Sequence, residues 1–178
     1  MKILLIETDP TGHHISLYLN AIVDKLISEN HKVSILTSVE TKNFPSFAYI
    51  KKKKIKIYYL KKYKLFNPQN YFTILLNQIF LYFQIKKKIN SISKFDIIYL
   101  NTFTTIDKAI SILGTPFDKV KFSGLFPAIK FFEKQKIYSF LFYKNLINKI
   151  LFNKLLNLKD LKNIFIQDPR FTKYSITN

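Results

Sequence analysis

The residues best suited to chemistry gather at a few places along the chain. The first is Thr11-Gly12-His13-His14. A residue without a Cβ lets the backbone approach an anion closely, and amides at the start of a following helix would give that anion hydrogen-bond donors. An imidazole at His13 or His14 could hydrogen-bond a hydroxyl or a phosphate. Two readings stay open here, because Gly12 could serve only the turn and the histidines only the polar start of a helix. Asn101, Thr102 and Thr104 carry amide and hydroxyl groups that could meet ligand hydroxyls, as many α/β loops do. No metal-ligand cluster, Ser/His/Asp order, Walker loop, paired-acid spacing or full Gly-x-Gly-x-x-Gly accompanies them. An independent dinucleotide-binding or hydrolytic role therefore has no support, and no cofactor is expected.

The elements that must position these residues read clearly from pattern. Ile3-Leu4-Leu5-Ile6 is a short continuous apolar run, as in a strand buried on both faces. Five turn-formers, Thr8-Asp9-Pro10-Thr11-Gly12, break it. Apolar residues then recur at steps of three and four over 13–30, which predicts an amphipathic helix stopping at Asn30. Val33-Ser34-Ile35-Leu36 is a second buried strand, so the chain opens with a β-α-β unit whose first turn faces a ligand crevice. His31 falls at the opposite end of the sheet and is read as structural.

Further strands are predicted at 55–60, 96–100, 119–123 (ending at Gly124) and 163–167, with helices at 71–92, 105–113 and over most of 130–158. Asn67-Pro68-Gln69-Asn70 forms a turn and helix start, and Asp168-Pro169 reads as an N-cap with a first-turn proline. Strands alternate with helices throughout. The expectation is one α/β domain over 1–178: a doubly wound, mostly parallel Rossmann-like sheet of order 3-2-1-4-5-6 or a close variant, with helices on both faces.

Composition narrows the partners. Cysteine is absent, which excludes disulfides and thiolate metal sites and fits a reducing compartment. The first strand is too short for a signal-peptide core, and a cytoplasmic place is expected. The net charge of +18 comes from 28 lysines and a single arginine, Arg170. Direct base readout leans on arginine's planar fork, so nucleic acid is not the expected partner. Abundant Lys, Ile, Asn, Phe and Tyr together also mark an A+T-rich coding sequence. An anionic membrane surface suits interspersed lysines and aromatics better, through the clusters at 51–54, 61–64 and 86–88.

The uncharged stretch 65–85 contains Asn67, Pro68, Gln69, Asn70, Asn77, Gln78 and Gln84, so it offers no span of the ~20 apolar residues a membrane crossing needs. Within 71–92, Phe72, Leu75, Leu76, Ile79, Phe80 and Phe83 form one stripe, widened by Ile74, Leu81, Tyr82 and Ile85. Its expected role is to pack on the sheet, with an interfacial helix as the alternative. The aromatic-rich segment 130–158 poses the same choice.

Thr11-Gly12-His13-His14, the leucines at 17, 19 and 26, and Asn30-His31-Lys32-Val33-Ser34-Ile35-Leu36-Thr37 together resemble the opening of GT-B-fold glycosyltransferases, most of all the family 4 group. Asp96-Ile97-Ile98-Tyr99-Leu100-Asn101 and Lys162-Asn163-Ile164-Phe165-Ile166-Gln167-Asp168 resemble a middle and the closing strand of the same amino-terminal domain. The resemblance covers essentially the whole chain.

It implies the acceptor-binding half of an enzyme that moves a sugar from a nucleotide-sugar to a saccharide or lipid-linked acceptor in surface-polysaccharide assembly. The implied candidates for acceptor or donor-phosphate binding are Gly12, His13, His14, Asn101, Thr102, Thr104 and Gly124. A histidine that the family often carries near the end of the fifth strand is missing from Phe122-Ser123-Gly124-Leu125-Phe126-Pro127. The four glutamates, Glu7, Glu29, Glu40 and Glu133, do not form the Glu-x7-Glu pair of a donor-binding half. The donor site is thus expected on a missing carboxyl-terminal domain or a partner chain, and the isolated chain is expected to be inactive. The alternatives are a non-enzymatic basic module at the inner face of the membrane or on a partner, and an inactive remnant of a truncated gene.

Overall fold

The computed structural model describes residues 1–9, 18–62, 64–68, 70–92, 94–126 and 140–167. Gly12, His13 and His14 lie outside these residues, as does the expected cap at Asp168-Pro169.

Six strands form one sheet: β1 (Lys2–Glu7), β2 (Lys32–Ser38), β3 (Lys56–Leu60), β4 (Ile97–Leu100), β5 (Phe122–Phe126) and β6 (Leu161–Ile166). Every neighbouring pair is parallel and the order is β3-β2-β1-β4-β5-β6, as the crossover rule predicts. The order reverses between β1 and β4. Helices α1 (Asn20–Ser28) and α2 (Pro45–Lys52) cover one face. The other face carries α3 (Tyr71–Asn90), α4 (Asp107–Leu113) and α5 (Phe140–Leu156).

The core follows the two-residue period of a strand buried on both sides. Ile3, Leu5, Val33 and Ile35 point to one side and pack with Leu19 and Val23 of the first crossover and Phe47 and Ile50 of α2. Leu4, Ile6, Leu36, Ile98 and Leu100 point the other way, onto Leu81, Tyr82 and Ile85 of α3 and Phe152 and Leu155 of α5. Asn30 stops the first helix with φ of 60°, and the His31 amide donates to the Leu26 carbonyl at 3.0 Å. At the start of α3, Asn70 and Thr73 form a reciprocal capping box.

Three local expectations need correction. Helix α2 lies in a stretch where no helix was expected; Pro45 at its first turn starts it and buried Phe47 and Ile50 hold it down. Strand β5 begins at Phe122, because Asp118 and Lys119 take positive φ and form a turn; Gly124 therefore sits within the strand. Helix α3 packs on the sheet, yet its buried face is Asn77, Gln78, Leu81, Tyr82 and Ile85, while Phe72, Ile74 and Phe83 are exposed. Two polar side chains with specific partners decide that rotation, as the site shows.

Candidate functional site

The carboxyl ends of β1 and β4 meet where the strand order reverses, the position at which open α/β sheets bind ligands. Glu7, the last residue of β1, is fully buried there. Its Oε2 accepts from the Asn101 side-chain amide and from Thr102 Oγ1 at 2.8 Å, and its Oε1 accepts the Asp9 backbone N–H at 2.9 Å. Burial pushes its carboxyl up to about 7, against these donors, which favour the ionised form. The Thr8 and Thr105 hydroxyls share a hydrogen bond of 2.9 Å, and Thr105 Oγ1 donates to the Thr102 carbonyl at 2.8 Å. The loops after β1 and β4 are riveted together.

Beside this rivet lies a cleft of about 250 Å³. Asp9 contributes from the loop after β1, Lys64 and Pro68 from the segment before α3, and Thr104 and Thr105 from the loop after β4. The remaining wall is α3, through Ile74, Asn77, Gln78 and Leu81. Hydroxyls, an amide wall, a carboxylate and an ammonium thus line a pocket with three aliphatic surfaces. That mixture suits a hydroxylated ligand with apolar patches, such as a sugar ring.

The amides of α3 build the cleft. Asn77 Oδ1 accepts the backbone amides of Leu65 and Phe66 at 2.9 and 2.8 Å, and its Nδ2 donates to the Phe66 carbonyl at 2.8 Å. Gln78 Nε2 donates to the Thr104 carbonyl and to Asp107 Oδ1, both at 2.9 Å. Its Oε1 accepts the Lys108 and Ala109 amides at 2.8 and 3.2 Å. Helix α4 has no side-chain cap from Ile106, so Gln78 of the neighbouring helix takes that task. Asp107 is held above the ordinary carboxylate range, chiefly by burial, with Lys108 Nζ 3.5 Å away working against it.

The structure divides the expected site residues. Asn101 and Thr102 are brought together, buried and turned onto Glu7 rather than toward the cleft. Thr104 lines the cleft. Gly124 is buried against Phe103: an added Cβ would come within 2.9 Å of its ring Cγ and 3.2 Å of Leu100 Cβ. Its smallness makes room for an aromatic ring. His31 lies between α1 and β2 at the amino end of the sheet, its Nε2 3.7 Å from Glu29.

Sequence reasoning passed over Glu7, Asp9, Lys64, Asn77, Gln78 and Thr105. The available signal was a glutamate closing an otherwise apolar first strand, and two adjacent amides lying off the expected apolar stripe of the third helix. Among the described residues no group of three or more His, Cys, Asp or Glu could hold a metal ion, and no helix is long and apolar enough to cross a membrane.

No protein-family model and no curated protein matches the sequence. Solved structures do match. UGT89C1 of Arabidopsis thaliana, complexed with UDP, aligns at 12% identity with a TM-score of 0.59, over 96% of this chain and 44% of its own. MurG of Acinetobacter baumannii aligns at 14% identity and a TM-score of 0.45, over 82% of this chain and 38% of its own. A ugt transferase from Siraitia grosvenorii in complex with UDP aligns at 16% identity and a TM-score of 0.45, over 71% and 28%. The chain spans less than half the length of each. The likeness to UGT89C1 is one of fold: an all-parallel, six-stranded Rossmann-like α/β sheet of the GT-B type.

Proposed function

We propose that this chain is the acceptor-binding half of a glycosyltransferase, working with a donor-binding domain or partner chain that holds the nucleotide-sugar. The acceptor is a saccharide or lipid-linked saccharide in surface-polysaccharide assembly, and the place of work is the inner face of the cell membrane. One observation carries the reading. The cleft opens at the reversal of strand order, walled by Thr104, Thr105 and Asp9 on one side and Ile74 and Leu81 on the other. Hydroxyl and carboxylate groups there would orient acceptor hydroxyls while the aliphatic wall covers a sugar face. Gly12, His13 and His14 come three to five residues after Asp9 in the sequence, so the proposal assigns them to the same crevice, against the acceptor or the donor phosphates.

The test uses the purified chain and a panel of saccharides in NMR titrations. Saccharide-dependent shifts at Thr104, Thr105 and Asp9, weakened in Thr104→Val, are the expected result, with no turnover of nucleotide-sugar by the chain alone. Absence of any saccharide binding, or donor turnover by these 178 residues that is lost in His13→Ala or His14→Ala, would overturn the half-enzyme reading.

A further inference from the structure

Both walls of the cleft hang from one turn of α3. Asn77 and Gln78 are consecutive, so their side chains leave the helix about 100° apart, and both are buried, 7% and 3% exposed. Asn77 holds the segment that carries Lys64 and Pro68, through the Leu65 and Phe66 amides. Gln78 holds the opposite wall, through the Thr104 carbonyl at 2.9 Å and the first amides of α4. Two loops distant in sequence are thus referred to one rigid turn.

Donor and acceptor capacity separates the groups that hold the cleft from those left to meet a ligand. A glutamine amide carries two N–H donors and a carbonyl oxygen with two lone pairs. In Gln78 all four are engaged: Nε2 donates to the Thr104 carbonyl and Asp107 Oδ1, and Oε1 accepts the Lys108 and Ala109 amides. Gln78 lines the cleft, yet its amide has no capacity left for a ligand. Thr105 Oγ1 gives its proton to the Thr102 carbonyl, so the Thr8 hydroxyl must donate to it, and Thr105 keeps one acceptor position. Among the described residues the Thr104 hydroxyl takes part in no hydrogen bond, so its proton and its lone pairs are all available in the cleft.

We propose that Gln78 is a positioning residue: it fixes the Thr104 backbone and thereby aims the Thr104 hydroxyl, the group in this wall left to read a ligand. The carbonyl that Gln78 holds and the Thr104 hydroxyl are separated by rotation about ψ and χ1 alone. A β-branched residue is stiff at χ1, so holding the carbonyl leaves the hydroxyl little freedom. An aimed hydroxyl tells one configuration at a ligand carbon from its epimer, because a polar group met from the wrong side stays unpaired. Reading a saccharide in this way rests on the proposed function, whereas the fixing of Thr104 by Gln78 does not.

The test has a ligand-free arm and a binding arm, both on the full chain. Without ligand, NMR relaxation of isotope-labelled threonine methyl groups gives the order parameter of the Thr104 methyl. It is expected to fall in Gln78→Glu and in Gln78→Asn, while the methyl of buried Thr41, at the far end of β2, stays as it was. Gln78→Glu keeps an acceptor for the α4 amides and loses the donor to Thr104; Gln78→Asn keeps the amide but withdraws it by one methylene. In the binding arm, NMR titration with the tightest saccharide of the panel closes a double-mutant cycle. Thr104→Val should weaken binding on the order of fivefold in the parent and in Asn77→Ala, but less than about twofold in either Gln78 variant. A purely structural Gln78 would lower affinity overall and leave the Thr104 effect at its parental size. That result, an unchanged methyl order parameter in both variants, or the same loss of the Thr104 effect in Asn77→Ala would overturn the proposal. A Thr104 methyl that loosens in a chain binding no saccharide would keep Gln78 as its anchor and remove the acceptor reading.

Discussion

The side-chain amide of Asn101 donates to the Glu7 carboxylate across 94 residues of sequence, joining the ends of the two strands between which the sheet reverses direction. The pair is fully buried, and Thr102 and the Asp9 amide complete the shell around the carboxylate. The start of the loop that leads toward Gly12 is thus hung on one ionisable group.

That group makes stability depend on pH. Below about 4.5 Glu7 carries a proton in both folded and unfolded chains; between 4.5 and about 7 the unfolded chain ionises while the folded one keeps its proton. The contribution is therefore fully present in acid and lost as pH rises through 7, a change of about 3 kcal/mol. Asp107, raised mainly by burial, works in the same direction. Urea melts from acid to mildly alkaline pH should show Glu7→Gln with a flatter profile than the parent. Parallel profiles would remove Glu7 as the source.

Gln78→Leu keeps the volume and strips the hydrogen bonds that hold Thr104, Asp107 and the first amides of α4. Buried backbone donors left without an acceptor cost about 1–3 kcal/mol each. A loss of about 2–4 kcal/mol in chemical denaturation is expected. A change under about 0.5 kcal/mol would mean that the helix start finds other partners.

Gly124→Ala pushes a methyl group into the Phe103 ring, and overpacking of this kind costs about 1–3 kcal/mol. Phe103→Leu in the same chain should relieve part of that cost. The double-mutant cycle is expected to show a coupling of about 1 kcal/mol or more, and strict additivity would place the strain elsewhere.

Asn77→Ala removes the acceptor of the Leu65 and Phe66 amides. Hydrogen exchange at those two amides should quicken by about tenfold or more, with the strands unaffected. Equal protection in parent and variant would show that the segment before α3 is held by other contacts.

The sheet, its parallel sense and its order were legible in the sequence because each rests on short-range regularities. Continuous apolar runs such as Ile3-Leu4-Leu5-Ile6 demand burial on both faces, and successive β-α-β units have one favoured hand. The turn at Asn30 and the cap at Asn70 were legible for the same reason: each is a backbone need met by a residue nearby. The rotation of α3 was not. Its apolar residues run almost all round the helix, so periodicity offers several faces, and the choice falls to Asn77 and Gln78, whose partners lie in other segments. Glu7 illustrates the same limit. Its burial against Asn101 and Thr102, and the cleft beside it, exist only once β1 and β4 are adjacent, because a buried polar group is defined by its partners rather than by its own residue type.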